Sequence, residues 1–75
     1  MISELCEYGW VECCNHCELM TLLEKCENIG ITWFGGQLPT DIDEVFDFLV
    51  YPITIYYDHE DDTITYSDSY NEDLL

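Results

Sequence analysis

Cys13-Cys14-Asn15-His16-Cys17 places three thiols and an imidazole within five consecutive residues, and these are side chains that bind zinc. Cys14-x-x-Cys17 has the spacing of one half of a zinc site. The other half is missing, because Cys6 and Cys26 stand apart and His59 is alone in an acidic stretch. The first reading is therefore five free thiols, with Cys13 and Cys26 as small apolar core residues and Cys14 and Cys17 at a strand-to-helix junction. A zinc-stabilised interaction module using Cys13, Cys14, His16 and Cys17 is the alternative. The run Asp58-His59-Glu60-Asp61-Asp62 lacks the ligand register and central Gly of an EF-hand. No Ser-His-Asp or Cys-His grouping and no Gly-rich phosphate loop can be assembled. The expectation is a protein that is not an enzyme and carries no cofactor.

The other chemically capable groups are carboxylates. Seventeen Asp and Glu stand against a single basic residue, Lys25, giving a formal net charge of −16 over 75 residues. Small soluble domains need a magnitude of only about 2 to 8. A chain with one cation cannot neutralise a run of phosphates, which excludes direct binding to DNA, RNA or an anionic membrane. Its partner should be basic. A compact domain of this length has a diameter of roughly 29 Å, and duplex DNA of that length carries roughly 17 charges. The acids thus match a duplex segment of the domain's own size. Those expected to stand in for phosphates are Asp41, Asp43, Glu44 and Asp47, together with Asp58, Glu60, Asp61 and Asp62. Carboxylates four apart on a helix or two apart on a strand lie about 6 to 7 Å from one another, close to the phosphate separation along a strand. Tyr56, Tyr57 and Tyr66, with Tyr70, are expected to supply aromatic anchors on the outer face of a hairpin.

These groups must be positioned by a small fold. A hydrophobic content of 48% and an aromatic content of 15% argue against disorder, and the length allows one domain, residues 1–75. Gly9 to Cys14 reads as a strand. Asn15 followed by Glu18 has the form of a capping box, and Leu19, Leu22, Leu23 and Cys26 share one helical face. Gly30 closes that helix, predicted over residues 16–28. Ile31-Thr32-Trp33-Phe34 reads as a strand stopped by Gly35-Gly36. Ile42, Val45, Phe46 and Leu49 predict a short acidic helix over 41–50, with Thr40 as its cap. Ile53, Ile55 and Tyr57, then Ile64 and Tyr66, alternate around the acidic turn as an antiparallel hairpin. The expectation is an α+β domain, β-α-β-(short α)-β-β, with one main helix packed on a small antiparallel sheet. Its expected core is Val11, Leu19, Leu22, Leu23, Cys26, Ile31, Trp33, Ile53, Ile55 and Ile64.

The run from Leu22 to Thr40, with Gly30-x-x-Trp33-x-x-Gly36 at its centre and Tyr51-Pro52 and Thr63-Ile64-Thr65-Tyr66-Ser67 after it, resembles small early proteins of bacteriophages. In those a helix ends in Gly, then come a Trp-containing strand, a Gly turn and a hairpin. The pattern covers about residues 10 to 68. The chain departs from them in charge, since many carry ample Lys. Its surface charge is similar to that of DNA-mimicking anti-CRISPR and anti-restriction inhibitors. The resemblance implies a phage-encoded inhibitor of a host DNA-binding defence enzyme. A CRISPR–Cas nuclease is the most concrete target, and a restriction enzyme or a uracil-DNA glycosylase is an equally physical one. An accessory protein that binds a basic host factor outside its DNA site is a third reading. No stretch has the roughly 20 apolar residues of a membrane span. The N-terminal residues lack the basic start of a secretory signal. The expected location is the host cell cytoplasm.

Overall fold

The computed structural model describes residues 2–42 and 49–68. Their order is α1 (Ile2–Tyr8), β1 (Trp10–Cys13), α2 (His16–Asn28), β2 (Thr32–Trp33), β3 (Ile53–Asp58) and β4 (Thr63–Ser67). The fold is α+β, two helices on a four-stranded mixed sheet.

α2 is delimited at both ends by its own sequence. The Asn15 side chain accepts a hydrogen bond from the Glu18 N–H at 2.9 Å, and the Glu18 carboxylate accepts one from the Cys14 N–H at 2.8 Å. One of the helix's otherwise unmatched N–H groups, and the N–H of the residue just before the cap, are thereby satisfied. At the other end Ile31 N–H donates to the Cys26 carbonyl at 3.0 Å and Gly30 N–H to the Glu27 carbonyl at 3.2 Å. With Gly30 at φ +88, this is the Schellman closure, which needs a left-handed residue and so favours Gly. Leu19, Leu22, Leu23 and Cys26 are all fully buried. Each such aliphatic side chain contributes about 1.5–3 kcal/mol by leaving water.

α1 is absent from the sequence-based expectation. It buries Leu5 completely and ends at Gly9 (φ +84), whose N–H donates to the Leu5 carbonyl at 2.9 Å. Only a residue that tolerates a left-handed conformation can turn the chain this sharply into β1. The carbonyl of Gly9 then accepts from Tyr57 N–H at 2.8 Å, extending the ladder between β1 and β3.

The strand order is β1-β3-β4-β2. β3 pairs antiparallel with both β1 and β4, but β2 pairs parallel with β4, Thr32 opposite Thr63 and Trp33 opposite Ile64. The expected all-antiparallel sheet is corrected accordingly. The ten expected core residues are all buried, and Leu5 and Cys13 join them. Ile42 and Leu49 pack against that core. Of the predicted helix over 41–50, residues 43–48 lie outside the described residues, while Asp41, Ile42, Leu49 and Val50 have no regular structure. The hydroxyl of Thr40 donates to Glu27 Oε1 at 2.6 Å, tying the loop after β2 back to α2.

Candidate partner-binding surface

Alternation along the strands sorts the side chains into two sets. Val11, Cys13, Ile53, Ile55, Tyr57 and Ile64 face the helices. Residues paired across a ladder share a face, so Tyr66, opposite Ile55, also lies on the helix side. There its ring meets Trp33 edge-on, centroids 6.0 Å apart, and the indole N–H of Trp33 donates to the Pro39 carbonyl at 3.1 Å. Tyr56 faces the other way. The three tyrosines expected together on the outer face are therefore divided, Tyr56 on the outer face and Tyr57 and Tyr66 on the helix side, where Tyr66 lies at the edge of the core and stays exposed.

The outer face carries Trp10, Glu12, Tyr56, Asp58, Thr63 and Thr65. Trp10 lies opposite Tyr56, and Tyr56 opposite Thr65. Phe34 completes the row, since its N–H donates to the Ile64 carbonyl at 3.1 Å and carries the pairing of Trp33 with Ile64 one residue further. Trp10 is 53% exposed, Tyr56 46% and Phe34 72%. Sequence reasoning did not name Trp10 and Phe34 as partner-binding residues, although each stands one place from a core position (Val11, Trp33), and strict alternation points them outward.

At the hairpin end, the four acids of the turn do different things. Asp58 Oδ1 accepts from the Glu60 N–H at 2.9 Å, and Asp62 Oδ1 accepts from the Tyr57 hydroxyl at 2.7 Å. Asp62 also adopts φ 54, a left-handed conformation that Asp tolerates better than most residues. This bond holds the Tyr57 hydroxyl pushed up to about 12, because the proton it donates stabilises the neutral phenol. Asp58 and Asp62 thus build the turn, while Glu60 and Asp61 project from it. Asp41 is exposed too. Asp43, Glu44, Asp47 and Tyr70 lie outside the described residues. The carboxylates are not confined to one face: Glu12 and Asp58 lie on the open side of the sheet, and Glu24 on the solvent side of α2, which covers the opposite side. The chain matches no known family, curated protein or solved structure.

The side chains of the zinc alternative do not converge. Cys13 points into the core while Cys14 and Cys17 are exposed, so the four side chains of the zinc alternative do not come together. Among the described residues no three His, Cys, Asp or Glu side chains are placed to hold a metal ion. Burial pushes the thiols of Cys13 and Cys26 up to about 11 from the ordinary 9.0. The carboxylate of Glu18 raises Cys14. Iodoacetamide at mild alkaline pH is expected to label Cys6, Cys14 and Cys17 in the native protein and to reach Cys13 and Cys26 only in denaturant. Peptide mass spectrometry reads the pattern, and Glu18→Gln should speed the labelling of Cys14. Since the unfolded chain releases the Cys13 and Cys26 protons first, stability should fall as pH rises from 9 towards 11. A denaturation midpoint flat across that interval would contradict the burial of these thiols.

Among the described residues no helix is long and apolar enough to cross a membrane.

Proposed function

We propose that this protein is a phage-encoded inhibitor that mimics nucleic acid and occupies the basic DNA-binding cleft of a host defence enzyme in the host cytoplasm, most concretely a CRISPR–Cas nuclease. A restriction enzyme or a uracil-DNA glycosylase presents a cleft of the same chemistry. The inhibitor acts by binding and not by catalysis. One observation carries this reading, the amount of charge for the size of the fold. Seventeen carboxylates ride on a domain with principal extents of 34 × 25 × 21 Å. Duplex segments of 25 to 34 Å carry roughly 15 to 20 phosphate charges, and 17 lies between. With one Lys in the chain, at most one carboxylate can be paired with a lysine, so the surface arrives at a partner almost uncompensated. Nuclease clefts that read a short duplex motif with a pair of Arg side chains are small enough to be covered by such a domain.

Steering by net charge makes association fast at low salt and weak at high salt. Titrated into a complex of enzyme and fluorescently labelled duplex, the protein is expected to release the DNA at about one equivalent, with at least a tenfold loss of apparent affinity between about 50 and 200 mM salt. Failure to displace DNA from any of the three enzyme classes at low salt would remove the mimicry. Glu60 and Asp61 are the acids to reverse, since neither carboxylate supports the turn. Glu60→Lys with Asp61→Lys should weaken displacement by about tenfold or more, an effect in the range measured for close charge pairs. Unchanged affinity would place the hairpin tip outside the interface.

A further inference from the structure

Between Tyr56 and Phe34 the outer face of the sheet forms an open cleft. Its two aromatic walls stand on β3 and at the end of β2, with β4 between them, so they are two strand spacings apart, roughly 10 Å. The floor is made by Thr63 and Thr65, and Asp58, His59 and Glu60 line one end. Nothing among the described residues covers it. An exposed aromatic surface of this kind invites stacking, and the electrostatics decide what stacks. A nucleic-acid base would bring phosphates to a −16 chain whose single cation, Lys25, lies on α2, behind the sheet. A second copy of the chain would bring another −16. A cation meets no such penalty.

We infer that this cleft is a receptor for an arginine side chain of a protein partner. The planar guanidinium enters a gap of this width and is weakly hydrated on its faces, so it stacks against a ring at low desolvation cost while its N–H groups donate edgewise to carboxylates. Tyr56 and Phe34 supply the ring faces, and Asp58 and Glu60 supply the acceptors. Lysine offers a strongly hydrated point charge that gains less from the walls. The proposal shares with the proposed function the expectation of a basic partner, and it names the residue type that the partner must present.

The test uses the full chain and two capped peptides that differ only in their cation, Gly-Ser repeats bearing three Arg or three Lys, by calorimetry at about 150 mM salt. The Arg peptide is expected to bind about tenfold tighter than the Lys peptide, a ratio within reach of one or two cation–π contacts. Phe34→Ala and Tyr56→Ala should each reduce the Arg peptide to the Lys level. Phe34 is 72% exposed, so its variant should keep the parent thermal midpoint and circular dichroism. Equal affinity for the two peptides, or a Phe34→Ala variant that binds the Arg peptide as well as the parent, would overturn the cleft. DNA displacement from a defence enzyme is read separately: Arg-selective binding without displacement would sink the mimicry and leave the cleft standing, and displacement without Arg selectivity would do the reverse.

Discussion

Lowering the salt from about 150 to about 10 mM at neutral pH should reduce the thermal midpoint by about 10 °C or more, the largest shift expected for the unmodified protein. The folded chain confines a charge of −16 within a radius of gyration of 11.8 Å, whereas the unfolded chain spreads it over about 27 Å. Treating both as charged spheres in water, the excess repulsion of the folded state relaxes by on the order of 5 kcal/mol as the screening length drops from about 30 to about 8 Å. Residual compactness of the unfolded chain trims this figure, and about 2 kcal/mol surviving is already enough, since each kcal/mol moves the midpoint of a domain this size by about 4–8 °C. Circular dichroism melts across a NaCl series measure it. A midpoint independent of NaCl would mean that the carboxylates do not act as a collective field, and the size-matched charge behind the proposed function would lose its physical meaning.

The same field has a functional corollary. A basic partner removes the repulsion that salt removes, so binding and folding are linked through one energy. The acids that strain the free protein are the ones that drive its association, and a gain in either is a loss in the other. This trade explains why the core must be well formed for so short a chain. Among the described residues twelve side chains form the buried hydrophobic core, six of them aliphatic residues with no exposure at all among α1, α2 and β3.

How far the sequence discloses this architecture depends on whether a feature is local. α2 is legible end to end because Asn15 and Gly30 make the bonds that their types predict, Glu18 reaches back past the cap to the Cys14 N–H, and the apolar spacing between them has a single helical solution. α1 was not, since only Ile2 and Leu5 mark its face and a helix of seven residues is unstable alone. It exists because Leu5 reaches the shared core and Gly9 turns the chain. The parallel pairing of β2 follows from direction counting. α2 carries the chain back along the sheet, so β1 and β2 run the same way, while the hairpin strands β3 and β4 run opposite ways. With β1 and β2 on the two flanks of that hairpin, one flank must be antiparallel and the other parallel. The count needs the strand order, which no local pattern encodes. Site residues divide in the same manner. The acids of the turn were visible as a run, but their division into turn-building Asp58 and Asp62 and projecting Glu60 and Asp61 depends on hydrogen bonds. Placing the three tyrosines on one face runs against the alternation itself, which sets Tyr57 with Ile53 and Ile55 and Tyr66 with Ile64; pairing of Tyr66 with Ile55 confirms the helix side, where it stays 41% exposed.

Ile55→Ala should be the most damaging single substitution in the sheet, costing about 3–4 kcal/mol. Ile55 has no exposure, sits on β3 with β1 on one side and β4 on the other, and shares its face with Val11 and Tyr66 across the two ladders. Removing its outer carbons loses their transfer free energy and leaves a cavity that two hydrogen-bonded neighbours cannot close, which places the cost in the usual range for large-to-small core changes. Ile55→Val, which keeps the branched β-carbon, should cost only about 1 kcal/mol. A domain of this length holds roughly 4–11 kcal/mol in total, and the charge field has already taken part of that at low salt. Ile55→Ala should therefore be largely unfolded at about 10 mM salt and regain its native circular dichroism at about 0.5 M, while the parent is folded in both. Chemical denaturation of the two variants and the parent at each salt concentration measures the difference. If Ile55→Ala loses the same stability but gains nothing from salt, packing and charge are not opposed in this fold, and its marginal stability has another source.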